Sequence, residues 1–175
     1  MFNLYKKAAL AIILGSASLS AHAVQTDITV WANVDPTLSL LKHDGTPLSD
    51  SVELTYRAGV PGTGAGAGLS TWTDQVRIFT NDVTKDVQVR LGADASLVPD
   101  VAAVGATAVP LTVSLNGTEL TTAAKDFTSA QLFPGSDLAG ASITMPLSIG
   151  QTTGGASAFG GQYKGIISVI MVQKP

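Results

Sequence analysis

The residue types that most often carry enzyme chemistry are sparse in this chain and form no catalytic pattern. After residue 23 there is one histidine, His43, beside an Asp-Gly turn. A serine–histidine–aspartate site needs a histidine held by partner side chains, and the sequence shows no such partners. Asp82 and Asp86 lie near a predicted turn, where aspartate commonly binds its own backbone. Because H-E-x-x-H, G-x-S-x-G and calcium-loop patterns are also lacking, we predict that the chain is not an enzyme.

Metal and cofactor sites have equally little support. The chain contains no cysteine, which excludes disulfides, thiol catalysis and cysteine metal sites. Gly62, Gly64 and Ala67 loosely fit a dinucleotide fingerprint, but no helix start follows them, so residues 59–68 are interpreted as a flexible loop. The sequon that begins at Asn116 is explained by a hairpin turn. We expect no metal, no cofactor and no small-molecule substrate.

The first 23 residues have the three parts of a secretory signal. Lys6 and Lys7 provide the positive start, residues 8–14 (AALAIIL) provide a short apolar core, and the small residues around His22 precede a cleavage site. We predict cleavage between Ala23 and Val24. A membrane anchor is the alternative, but the apolar run is much shorter than the roughly 20 residues needed to span a bilayer. The mature protein is therefore expected to be exported.

The mature chain has the composition of an extracellular β domain. Cleavage leaves 152 residues, with eight basic and thirteen acidic side chains and a net charge of −5. This length is enough for one domain with its own core. The mildly acidic balance argues against nucleic acid and anionic membrane as partners. Small and β-branched residues dominate, as in all-β extracellular domains.

Strand-like segments recur every ten to fifteen residues or so, with turn residues between them, which predicts a β-sandwich. We expect strands at 38–41, 52–57, 75–80, 83–91, 110–115, 118–120 and 143–149, and a final strand at 163–172. Asn116-Gly117 is a strong hairpin signal. Thr122 is a possible cap for a short helix over 122–132. Pro146 predicts an edge position or a bulge, because proline lacks the ladder donor.

Two alternating segments lie at opposite ends of the mature chain. Residues 24–34 read VQTDITVWANV and residues 163–172 read YKGIISVIMV. The first begins beside the cleavage site, so it would emerge as a free extended tail able to pair with another copy. Ordinary strands paired within one domain are the alternative, since alternation is typical of any half-buried strand.

Four stretches carry a resemblance to a known family. They are residues 27–36 (DITVWANVDP), 80–91 (TNDVTKDVQVRL), 113–127 (VSLNGTELTTAAKDF) and 163–171 (YKGIISVIM). These stretches occur in the same order as in the major pilins of class 5 fimbriae, the CFA/I-type members of the alternate chaperone–usher group, and they resemble them. Together they extend along nearly the whole mature chain. Departures concentrate in the loops at 59–73 and 98–110, and Trp31 replaces a small residue.

The resemblance implies an immunoglobulin-like sandwich over 37–175 that lacks one strand. The missing strand would come from the tail 24–36 of a neighbour, a form of strand addition. The donor residues would be Ile28, Val30, Ala32, Val34 and Pro36. The final strand would line the groove and contact the chaperone through Tyr163, Gly165, Ile167, Val169 and Met171, although both of its faces are largely apolar.

The resemblance also implies partners and a location. The chain would pass through the periplasm with a chaperone, be assembled by an outer-membrane usher, and form a homopolymer at the cell surface that carries a tip adhesin and supports cell adhesion. A tip adhesin itself would need two such domains, which 152 residues do not provide. A secreted, monomeric carbohydrate-binding sandwich is the alternative from a different class.

Overall fold

Strands make up most of the ordered elements in the computed structural model, which describes residues 37–59, 66–101, 106–135, 137–154 and 160–175. All of the described residues belong to one compact unit, Asp35–Pro175. The strands are β1 (Leu38–Lys42), β2 (Tyr56–Arg57), β3 (Gly68–Leu69), β4 (Trp72–Thr80), β5 (Val87–Leu91), β6 (Ser96–Pro99), β7 (Val109–Leu115), β8 (Thr118–Leu120), β9 (Lys125–Phe127), β10 (Met145–Gln151), β11 (Tyr163–Lys164) and β12 (Val169–Gln173), with one short helix, α1 (Ser129–Leu132).

The strands form a sandwich, as the sequence predicts. In the described residues the larger sheet has the order β1-β4-β10-β7-β6-β11, with β8 also paired to β7, and the smaller sheet has the order β12-β5-β9. A separate pair joins β2 to β3. These strand pairings are antiparallel, so each strand can bury one face against the opposite sheet.

The core forms where the inward faces of the two sheets meet. Strict alternation in β4, β5 and β7 sends every second side chain inward. The buried cluster joins residues of both sheets, among them Val76, Ile78, Val113, Leu115, Leu147, Val87, Val89, Leu91 and Phe127. Ser142 is also fully buried. Its burial is tolerated because the hydroxyl accepts from the backbone N of Ile78 at 2.9 Å and donates to the Ile143 carbonyl at 2.8 Å.

The hairpin predicted at Asn116-Gly117 is confirmed. Asn116 has φ 49° and Gly117 has φ 76°, the two positive angles that a type I′ turn requires. The turn joins β7 to β8 with the register Leu115↔Thr118. The local sequence therefore specified the turn type of this element.

Pro146 does not occupy an edge strand, so that expectation was wrong. β10 lies between β4 and β7, with Pro146 opposite Gln75. The Gln75 carbonyl accepts from the backbone N of His43, on the side of β1, while the Pro146 carbonyl accepts from the backbone N of Asn116. The proline nitrogen therefore faces the β7–β8 turn, beyond the end of the β7 ladder, where no donor is needed.

Three further element boundaries differ from the expectation. The predicted helix over 122–132 is mostly wrong, because residues 125–127 form β9 and only Ser129–Leu132 is helical. Thr128 caps that helix instead of Thr122, in a capping box with Gln131. The segment 52–57 forms a strand only at Tyr56–Arg57. β5 begins at Val87, because Asp82 folds the chain back by accepting from Thr84 N at 3.0 Å.

The predicted single strand over 163–172 is split into two strands that belong to different sheets. β11 pairs with β6 at the edge of the larger sheet, and β12 pairs with β5 in the smaller one. Gly165 lies at the crossing, where an added Cβ would overlap the Ser96 carbonyl oxygen and approach Leu97 Cδ2 at 3.2 Å. A side chain at this position would push the crossing segment off β6.

We therefore expect Gly165→Ala to destabilise the domain by about 1–3 kcal/mol, the usual cost of overpacking. The midpoint of denaturant unfolding, followed by intrinsic fluorescence, would measure the effect. Gly160→Ala is the matched control, because nothing lies within 4 Å of its added Cβ. Equal midpoints for the two variants would contradict the close approach at the crossing.

Candidate functional site

Two edge strands from different sheets face each other across an unpaired gap. Within the described residues, β1 pairs only with β4 and β12 pairs only with β5. Cα atoms of the two strands approach within 8 Å, yet no ladder joins them. We call this feature the edge gap. Each strand presents one row of backbone donors and acceptors to it, which is the arrangement that an added strand can pair with.

Apolar side chains of both edge strands turn toward the core at the edge gap. Leu38 and Leu40 from β1, and Val169 and Met171 from β12, pack against the buried cluster but are only half-buried themselves. By contrast, Val76 and Val89 in the paired strands are 0% exposed. The two walls of the gap therefore keep apolar surface that the domain itself does not cover.

The inward face of the final segment is defined by its packing. Ile167, Val169 and Met171 pack against the core, while Ile166 is 90% exposed and Val172 is 53% exposed. The sequence left this choice open because both sets are largely apolar. The sheet register decides it, since Val169, Met171 and Gln173 pair with Leu91, Val89 and Val87.

The five residues predicted for the groove strand are not all at the edge gap. Ile167, Val169 and Met171 lie along it, whereas Tyr163 pairs with Pro99 in the other sheet and Gly165 lies against Ser96. The predicted donor residues Ile28, Val30, Ala32, Val34 and Pro36 lie outside the described residues, as do Ala23 and Val24 at the predicted cleavage site. Their roles remain predictions.

A cleft of about 720 Å³, lined by both polar and apolar side chains, lies at the β11 end of the final segment. Leu54, Leu69 and Leu97 contribute apolar surface to it, and Tyr163 lies in its wall. The side chain of Gln151 also lines it and accepts from Leu69 N at 2.9 Å. The cleft therefore continues the apolar lining of the sandwich past the crossing at Gly165.

Polar contacts hold the ends of the edge strands. Gln173 Nε2, at the end of β12, donates to the Asp82 carbonyl at 2.6 Å and to Thr80 Oγ1 at 3.2 Å. At the start of β1, the backbone N of Thr37 donates to Asn81 Oδ1 at 3.2 Å. Neither Gln173 nor Asn81 was predicted from the sequence, because apolar alternation does not mark such residues. A polar residue closing an apolar strand was the available signal for Gln173.

An ion pair follows β12. Lys174 Nζ lies 2.6 Å from Asp126 Oδ2, and the backbone N of Lys174 donates to the Asp86 carbonyl at 2.9 Å. The hydrogen bond from Lys174, with a further one from Gln88, lowers the pKa of Asp126 below its ordinary value of 3.8. Since both partners are exposed to solvent to a substantial degree, the pair contributes modestly to stability.

The part of the chain that the structure describes contains no group of three or more His, Asp or Glu side chains placed to hold a metal ion. His43 lies in the turn after β1, where its backbone N binds Gln75. Among the described residues, no helix combines the length and apolar character needed to cross a membrane.

The sandwich has the immunoglobulin-like fold of a pilin, the structural component of a fimbria. The chain belongs to the family of CS1 type fimbrial major subunits, whose sequence model matches residues 24–172. It is 34% identical over 166 residues to a CFA/I fimbrial subunit of Escherichia coli O78:H11 (strain H10407 / ETEC), covering 93% of each chain. It is 35% identical over 174 residues to a CS1 fimbrial subunit of Escherichia coli, covering 94% of each.

A solved structure supports the same assignment. The CooA pilin subunit from enterotoxigenic Escherichia coli superposes with a TM-score of 0.65 at 33% identity, over 78% of this chain and 87% of that chain. The resemblance to CFA/I-type pilins is thus confirmed. The chain is a structural subunit of a surface fimbria and not an enzyme. Membership of this family favours the fimbrial interpretation over a secreted, monomeric carbohydrate-binding sandwich.

The depressed pKa of Asp126 predicts acid sensitivity at the end of β12. A lowered folded pKa means that the stabilisation is present above pH 3.8 and is lost as the pH falls below it. The hydrogen-exchange protection factor of the Lys174 amide should therefore decrease on acidification through this range. Asp126→Asn should remove that pH dependence, and Asp50→Asn, at an exposed carboxylate, should keep it. Identical profiles for the wild type and Asp126→Asn would contradict the assignment.

Proposed function

We propose that copies of this chain join by strand exchange, with the tail 24–36 of one copy filling the edge gap of the next. The observation that carries the proposal is the edge gap itself. Two unpaired strand edges, each backed by half-buried apolar side chains, face each other from different sheets. An inserted strand could pair with the free edge of either wall and cover apolar side chains of both.

The length of the tail suits this role. Its 13 residues span at most about 43 Å when extended, whereas the five residues of β12 span only about 17 Å. The rest of the tail would continue past Ile167 toward the cleft beside Tyr163. This path would cover the final segment along both β12 and β11, which explains why the cleft keeps its apolar lining.

The alternation of the tail also suits the gap. Ile28, Val30, Ala32 and Val34 lie on one face, and burying the three larger side chains is worth about 5–9 kcal/mol. Each strand hydrogen bond adds about 0.5–1.5 kcal/mol, offset partly by the ordering of the tail. A one-residue slip would turn the apolar set outward, so the register is strongly specified. Pro36 would stiffen the exit toward the domain of the donor.

The same gap argues for assembly partners. A copy that has not yet received a tail exposes the edges of β1 and β12, and exposed edges promote aggregation. A periplasmic chaperone would cover the gap during export, and an outer-membrane usher would replace it with the next tail. The resulting fibre would carry a tip adhesin and support adhesion at the cell surface.

Val30→Asp should block polymerisation, because it would bury a charge within the gap. Surface fibres sheared from cells that carry the complete assembly system, separated as ladders without boiling, would measure the effect. Thr29→Asp is the matched control, since it adds the same charge to the opposite face of the tail. Normal ladders from Val30→Asp would sink the proposed role of the tail.

A copy of the tail appended after Pro175 should give a self-filled monomer. In this variant the native tail, residues 24–36, is deleted so that it cannot enter a neighbour. We expect a higher thermal midpoint than for the tail-deleted chain alone, and a single monomeric peak by light scattering. A thermal midpoint that does not change would count against insertion of the tail.

A further inference from the structure

The turn between β4 and β5, residues 80–82, is held rigidly by its own contacts. We call it the anchor turn. Thr80 is 6% exposed, and its Oγ1 accepts from the backbone N of Asp82 at 3.1 Å. The carboxylate of Asp82 accepts from both Thr84 N at 3.0 Å and Thr84 Oγ1 at 2.6 Å. The backbone N of Thr80 also donates to the Gly140 carbonyl at 2.8 Å, so the turn is fixed on two sides.

Both walls of the edge gap are tied to this turn. The start of β1 is held through the backbone N of Thr37 and Asn81 Oδ1, and the end of β12 is held through Gln173 Nε2. Since no ladder joins β1 to β12 in the described residues, these contacts connect the walls at this end of the gap. Gln173 reaches across from the smaller sheet to the last residue of β4 in the larger one.

The contact made by Gln173 uses a side-chain amide and leaves the edge of β12 open. A backbone ladder between the walls would occupy the donors and acceptors that an incoming strand needs. A side-chain bond instead fixes the spacing of the walls while their backbone groups stay available. Gln173 can therefore hold the spacing of the two walls without occupying their backbone groups, a role that the buried apolar residues cannot supply.

We infer that the anchor turn sets the width of the edge gap, and that Gln173 is the positioning residue that prepares the gap for an incoming strand. The link to assembly rests on the proposed strand exchange, but the wall spacing does not. Walls whose spacing is already fixed at one end lose less conformational freedom when the strand enters. Losing the amide donor should therefore slow strand uptake.

The spacing of the walls can be measured directly because the chain has no cysteine. Ser39→Cys in β1 and Val172→Cys in β12 would carry spin labels on exposed positions of the mature chain, refolded at high dilution so that the copies stay separate. Gln173→Glu keeps the size of the side chain but removes the N–H donor. We expect it to broaden the distance distribution, and Gln173→Lys, which retains donors, to narrow it again. Gln75→Glu, at an exposed glutamine on the outward face of β4, is the charge-matched control.

The same variants would then be tested for assembly. Unlabelled Gln173→Glu should form fibre ladders roughly two- to tenfold more slowly than the wild type, the factor expected for about one net hydrogen bond. Gln173→Lys should recover much of the rate, and Gln75→Glu should match the wild type. A purely stabilising role would lower the unfolding midpoint in proportion, without a change in the wall spacing.

Each outcome separates the two proposals. An unchanged distance distribution in Gln173→Glu would overturn the inference, whatever the assembly rate. A broadened distance distribution with a normal assembly rate would overturn the role of Gln173 in strand uptake. A block of polymerisation by Val30→Asp would still support strand exchange in that case. If Gln173→Lys behaved like Gln173→Glu, the donor role of the amide would be wrong. Normal ladders from Val30→Asp would contradict strand exchange. The measured distance between the walls would then test the anchor turn on its own.

Discussion

Backbone groups at a sheet edge need a partner, and this requirement governs the whole domain. The two sheets close around a continuous core at most positions, with side chains such as Val76 and Val89 fully buried. Between β1 and β12 the described residues form no ladder, and the inward side chains there keep part of their apolar surface exposed. A monomer with such an edge is prone to aggregate. In the proposed strand exchange, the same open edge is the site at which one copy would join another.

Elements set by local chemistry could be predicted from the sequence. Asn116 and Gly117 tolerate positive φ, so their hairpin was specified by two residues. The strands predicted at 75–80 and 110–115 likewise coincide with most of β4 and β7. The short apolar stretch that contains Leu38 and Leu40 likewise predicted β1. The sandwich class followed from the spacing of these segments, and the family from four motifs distributed along the chain.

Elements set by distant contacts could not be predicted in the same way. Pro146 is accommodated in a central strand only because its nitrogen faces the end of the β7 ladder. The break at Gly165 depends on the Ser96 carbonyl, 69 positions earlier in the chain. Likewise, the inward face of β12 was fixed by its register on β5, and the contact of Gln173 required the β4–β5 turn to lie opposite it. Local periodicity carries no information about such pairings.

The anchor turn has a mechanical consequence for a fibre built by strand exchange. Tension would enter each pilin through Thr37, the root of its tail, and leave through β12, which grips the tail of the next pilin. Both points are bonded to residues 80–82, so part of the load would pass through this turn, beside the ladders of β1 with β4 and of β12 with β5. The ladder between β12 and β5 would bear the force in shear, along the strands. A fibre under tension could thus transmit force from one pilin to the next without straining the apolar cores of its domains.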